Sequence, residues 1–154
     1  MSLIATAPAG TPATVITNDG WFPDIDLVDV RAAVRLDGTV TNERLRPALV
    51  DAIVSVNQDL YTWQGARASL GAQSLADVEA PTIDGESVYV SRYRTAVYHL
   101  ARAALTERYR DFDSTKSGHQ KADELECTID DDRRTARWAV RDILGVSRMT
   151  VELI

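Results

Sequence analysis

Cysteine is nearly missing from this chain: Cys127 stands alone among 154 residues, so no internal disulfide can form, and it has no CxxC companion. Set beside Leu125 and Ile129, it reads as a small helix residue rather than a nucleophile. Histidine is scarce as well. His99 and His119 have no Cys or carboxylate at zinc-like spacing around them, which argues against a metal site, and His99 falls at the boundary of a packing stripe. No apolar run approaches the roughly 20 residues needed to cross a bilayer, and MSLIATAPAG lacks the basic start and apolar run of a signal peptide. The expectation is folding in a reducing cytoplasm, away from membranes. Basic charge is in deficit: Lys and Arg total 17 against 23 Asp and Glu, a net charge of -6, so the chain as a whole repels phosphate backbones. There is no Walker loop, GxGxxG, GxSxG or HExxH.

What is present is the composition of an ordinary folded protein, 45% hydrophobic and 26% charged, at a length that favours one domain with a real core. The chain is organised around Ile83 to Arg110. From Val90, apolar residues fall at Tyr93, Val97, Leu100, Ala101, Ala104 and Leu105, the spacing of one helical face. Arg92, Arg94, Arg102, Glu107, Arg108 and Arg110 form the opposite, charged stripe, open to water or a partner. The other helices are expected to pack on this one.

Residues 1–20, rich in Ala, Thr, Pro and Gly, read as an extended arm: a frayed terminus, or a strap laid on a neighbouring subunit. Trp21 and Phe22 precede Asp24 and Asp26, either able to cap a short helix with Val30 and Val34 on its apolar edge and Gly38 at its end. The two aromatics serve either as a plug fixing the helix entry or as an interface anchor. Thr41 caps a second helix, whose stripe runs through Leu45, Leu49, Ile53, Val56, Leu60 and Trp63, with Pro47 early and an end near Gly65 to Gly71. A long loop follows, tacked down by Leu75 and Val78, in which IDGES lacks the other EF-hand ligands and reads as a turn and helix cap. After a polar break around Gly118, a third long helix spans Lys121 to Leu144, with Ala122, Leu125, Ile129, Ala136, Val140 and Ile143 at helical spacing and Gly145 closing it. Finally RMTVELI alternates Met149, Val151 and Leu153 with Arg148, Thr150 and Glu152, the period of a strand. It needs a partner: the arm at Thr14 to Thr17, the long loop, or another chain.

Asp123, Glu126 and Asp130 lie near one helical face and suggest a hard-cation site, or a small metal-dependent hydrolase built on it. Asp131 and Asp132 extend the run. With Arg133, Arg134 and Arg137 following at ion-pair spacing, the whole run reads instead as a solvated face. The fold class expected is mainly α: a small bundle of three long helices, a short N-terminal helix, a long inter-helix loop, an extended N-terminal arm and a C-terminal strand. The organisation expected is an arm at 1–20, a helical domain at 21–147 and an assembly tail at 148–154.

Seven short motifs in order carry a resemblance: FPDID (Phe22 to Asp26), ADVEA (Ala76 to Ala80), IDGES (Ile83 to Ser87), ERYR (Glu107 to Arg110), KAD (Lys121 to Asp123), TID (Thr128 to Asp130) and RWAV (Arg137 to Val140). In these, and over roughly Trp21 to Ile154, the chain resembles the head completion proteins of contractile-tailed temperate phages, the gpL family. The resemblance implies a structural virion protein of the head-to-tail neck, made in the host cytoplasm, without catalytic residues, cofactor or metal. Implied partners are the portal protein, neighbouring copies in a ring of about a dozen subunits with heterologous contacts, tail terminator and other neck proteins, and double-stranded DNA that passes without specific binding. The alternative is a tail-side joining module of the neck. Interface residues expected are Trp21 and Phe22, Gln73 in a loop approaching the channel, and Arg148, Met149, Val151, Leu153 and Ile154 in a strand added to a neighbour or to the portal.

Overall fold

The computed structural model describes residues 14–36, 39–110 and 118–147, with the side chains at 109, 110 and 118–127 outside that description. The described residues form four α-helices: α1 (Leu27–Val34), α2 (Asn42–Ser69), α3 (Val88–Arg110) and α4 (Gly118–Leu144). The mainly helical class expected from the sequence is observed. α4 and α2 pack extensively on α3 and α1 touches it more lightly, while α2 and α4 touch each other far less than either touches α3. Among the described residues there are also two short antiparallel ladders, β1 (Val15–Ile16) with β2 (Ile25–Asp26), and β3 (Thr82–Ile83) with β4 (Glu86–Ser87).

Both ends of α1, the start of α2 and the end of α4 have local causes. Asp26 is extended and its carboxylate accepts a hydrogen bond from the Val28 amide at 2.9 Å, starting α1. The helix ends before Gly38, at Arg35, which takes the left-handed conformation at φ 50° that glycine adopts without cost. Replacing Arg35 with glycine is therefore expected to raise stability by about 0.5–1 kcal/mol, or roughly 2–3 °C in a thermal melt. An unchanged or lower midpoint would show that the arginine side chain contributes more than its backbone costs. At α2 the Thr41 carbonyl accepts from the amides of Arg44 and Leu45 at 3.1 and 2.9 Å. Pro47 lies inside the helix on its exposed side, where water can serve the carbonyl its missing amide leaves free. α4 closes at Gly145 (φ 69°), with the Val146 amide donating to Arg141 and the Gly145 amide to Asp142, a Schellman ending.

The loop after α2 is ordered by Leu75 and Val78, both buried, and by a turn whose residues Asp84 and Gly85 have φ of 53° and 77°, the pair of positive angles a tight hairpin needs. Within IDGES, read from the sequence as a turn and helix cap, the Ser87 side chain does not cap α3. Its hydroxyl is buried without a hydrogen-bond partner, and the Val88 amide donates to the Pro81 carbonyl at 3.0 Å.

The core follows the expected stripes, with Leu45, Leu49, Val56 and Leu60 of α2 packed with Tyr93, Val97 and Ala101 of α3 and Ala139 and Ile143 of α4. Ile16 joins it, so the chain is packed on the domain from Thr14 onward, and β1 pairs with β2 of its own subunit. Residues 1–13, the break at 111–117, the side chains of Ala122, Leu125 and Cys127, and the segment Arg148 to Ile154 lie outside the described residues.

Candidate interaction surfaces

Three polar or aromatic clusters fix the shape of the surface. The first corrects the reading of the DDDRR run as solvated. Asp132 is buried, and its carboxylate accepts from Arg102 through both Nε (2.6 Å to Oδ2) and Nη2, and from His99 Nδ1 at 2.7 Å. Burial pushes its carboxyl group up, but the hydrogen bonds from His99 and Arg102 and their charges outweigh this and hold it below the ordinary carboxylate value. Arg102 Nη1 also donates to the Val34 carbonyl at 3.0 Å, satisfying an open carbonyl at the end of α1. Arg102 therefore leaves the water-facing stripe and joins three helices. Arg92 pairs with Asp142, and Arg94 with Glu86.

The second cluster ties the entering chain to α2 and α3. Asn18 donates to the Tyr93 hydroxyl (2.8 Å), Tyr93 donates to Asn57 (2.6 Å), and Asn57 donates back to Asn18 (3.0 Å), a closed ring of hydrogen bonds. Burial drives the Tyr93 phenol upward, so it stays protonated and able to donate. The third cluster is aromatic. Phe22 is buried and stacked on Tyr93 at 4.8 Å, while Trp21 meets Phe22 and Trp63 edge-on at 4.8 and 6.1 Å. Asp19 accepts from the amides of Trp21 and Phe22, and Trp21 is further held by hydrogen bonds to Ala72 and Leu75. Phe22 is thus occupied inside its own subunit, Trp21 is half-buried, and Gln73 is exposed. The five tail positions, Arg148, Met149, Val151, Leu153 and Ile154, lie outside the described residues.

Sequence periodicity did not mark the surfaces left open. On α2, Pro47, Val50, Val54 and Tyr61 form an exposed stripe opposite the core, Tyr61 at 73% exposure, and Ile83 stands at the hairpin tip. Between α2, α3 and α4 runs a groove of about 440 Å³ floored by Val56, Leu100, Ala136 and Val140. Leu100 belongs to the α3 packing stripe but is only half-buried because it forms this floor. Among the described residues, no group of three or more His, Cys, Asp or Glu side chains is placed to hold a metal, and no helix is long and apolar enough to cross a membrane. The side chains of Asp123, Glu126 and His119 are outside that description.

The sequence profile of the family described as phage head completion protein (GPL) matches residues 16–154. The chain belongs to that family. This head completion family member is 42% identical over 153 residues to the head completion/stabilization protein of Escherichia phage P2, covering 99% of this chain and 90% of that protein. It is 27% identical over 144 residues to the probable head completion/stabilization protein of Haemophilus phage HP1 (strain HP1c1), covering 92% and 93%. No solved structure matches it. The protein is therefore a phage head completion protein in family, and the family is a structural one.

Proposed function

We propose that this protein completes the DNA-filled head by docking as a closed ring of about twelve subunits beneath the portal, where it retains the packaged genome and offers the surface on which the tail is joined. The observation that carries the reading is the near full-length similarity, at 42% identity, to a head completion/stabilization protein. Net charge supports it: an acidic wall around a DNA conduit makes few of the Lys and Arg contacts to phosphate that would hold passing DNA in place. A ring of identical subunits needs two different contact surfaces on each. The exposed α2 stripe and the hairpin tip at Ile83 are suited to such contacts, with residues 148–154 crossing to a neighbour and Gln73 approaching the channel. Assembly in the host cytoplasm and contact with tail terminator and neck proteins belong to the same reading.

The test is to mix the purified protein with purified portal rings and image the product by electron microscopy. A closed ring of this protein seated under the portal is the expected result, and its symmetry gives the stoichiometry. Portals that stay bare while isolated tails acquire the protein would replace this reading with a tail-side joining module.

A further inference from the structure

The groove between α2 and α4 has an apolar floor and a rim of mixed charge. Asp59, Asp130, Arg133 and Arg137 edge it. Arg133 is engaged by Glu107 at 2.7 Å, whereas Asp59, Asp130 and Arg137 make no ion pair among the described residues. A cleft of this kind suits a short segment with apolar residues at every second position and one charge of each sign. The sequence supplies one: in RMTVELI, Met149, Val151 and Leu153 alternate with Arg148, Thr150 and Glu152.

The chain also arrives at the right place. The Schellman ending at Gly145 turns it off the axis of α4, and Arg141 Nη2 donates to the Ser147 carbonyl at 2.7 Å. Ser147 is thereby held beside a residue one helical turn from Arg137 on the groove rim. Leu144 and Val146, at 36% and 46% exposure, continue the apolar line of Val140 towards that exit. Seven extended residues reach at most about 25 Å, and the α4 wall from Leu144 back to Arg133 is about 17 Å long.

We propose that this groove is the seat of residues 148–154, filled in the free subunit by the chain's own segment. The alternation of Met149, Val151 and Leu153 matches the apolar floor, and the opposite charges of Arg148 and Glu152 match the mixed charge of the rim. The seat does not depend on the portal reading, although it gives the crossing segment of that reading a site that every copy carries. Exchanging identical segments between copies is a low-cost route to assembly.

The experiment titrates a fluorescein-labelled SRMTVELI peptide with the full chain and reads anisotropy. One sample is the wild-type chain; the other carries Val151→Glu and Leu153→Glu, which empty the seat. The double variant is expected to bind the peptide, and the wild type at least tenfold more weakly, because its own tethered segment competes at an effective concentration of about a millimolar. Adding Arg137→Glu to the double variant, at an exposed position where folding is not at risk, should weaken binding several-fold. Equal affinity for wild type and double variant would overturn the proposal, as would an affinity indifferent to Arg137→Glu or a double variant that binds nothing. Portals take no part in the measurement, so its failure leaves the docking reading untouched.

Discussion

Replacing Asp132 with alanine is expected to destabilise the protein by about 2–4 kcal/mol and to lower the thermal midpoint by roughly 6–12 °C. The side chain is 2% exposed and receives hydrogen bonds from Arg102 and His99, which are themselves only about a quarter exposed, at 27% and 26%. Removing the carboxylate leaves the Arg102 guanidinium and the His99 ring nitrogen without their shared acceptor and with limited access to water. That cost exceeds the value of the pair itself, because desolvation of the orphaned groups is no longer offset. Their residual exposure keeps the effect towards the lower part of the range for buried pairs. The damage should also spread: Arg102 is what joins the end of α1 to α3 and α4, so amide protection in α1 is expected to fall more than in α2. A midpoint within 2 °C of wild type would mean that Arg102 and His99 re-solvate freely.

The same cluster sets a pH dependence with a definite sign. Asp132 has a folded-state value below the ordinary one of 3.8, so the folded protein holds the carboxylate ionised where the unfolded chain has begun to take up a proton. Its contribution is fully present above the unfolded value and is lost as pH falls through the depressed folded value. Wild type and Asp132→Asn should therefore differ most near neutrality, and their stabilities should converge as the solution is taken below about pH 4. A difference that grows on acidification would refute the assignment.

How far the sequence disclosed this arrangement depends on the kind of signal. The long helices were legible because burial repeats with the helical period, and the Asp84-Gly85 turn because positive φ restricts which residues can occupy it. Asp132 was misread because its neighbours Asp130, Asp131, Arg133 and Arg134 are exposed. Yet it lies three residues after Ile129 and four before Ala136, on the buried stripe itself, and that register was the available clue. Asn57 carried a similar clue, four residues after Ile53 and three before Leu60. The pairing of β1 with β2 left none, since two residues per strand are too few to show a period. The groove was hidden for another reason. Periodicity says which face of α3 packs, but not that α2 and α4 stand far enough apart to leave Leu100 half open.

Phe22→Ala is expected to have the largest effect of any single truncation near the chain entry, a loss of about 3–5 kcal/mol and some 10–15 °C in the midpoint. Phe22 is 3% exposed, stacked on Tyr93 with an interplanar angle of 11°, and struck edge-on by Trp21. Truncation removes both ring contacts and leaves a cavity beside a Tyr93 hydroxyl already committed to Asn18 and Asn57, so the site cannot collapse without breaking that ring of hydrogen bonds. With a total stability of about 5–15 kcal/mol for a domain of ordinary size, such a loss brings the isolated chain close to unfolding at 37 °C. Trp21→Ala should cost less, because Trp21 is only half-buried. The comparison separates the two roles open to these aromatics. A plug destabilises the isolated subunit when truncated, and near-ultraviolet circular dichroism should lose the signal of the Trp21, Trp63 and Tyr89 edge contacts. An anchor leaves the free subunit intact and lowers only its association with portal or neighbour. If Phe22→Ala melts like wild type yet fails to dock, the aromatic pair acts at an interface; if it melts early and Phe22→Leu recovers much of the loss, the pair holds β2 and α1 onto the bundle, and assembly depends on it only through the fold.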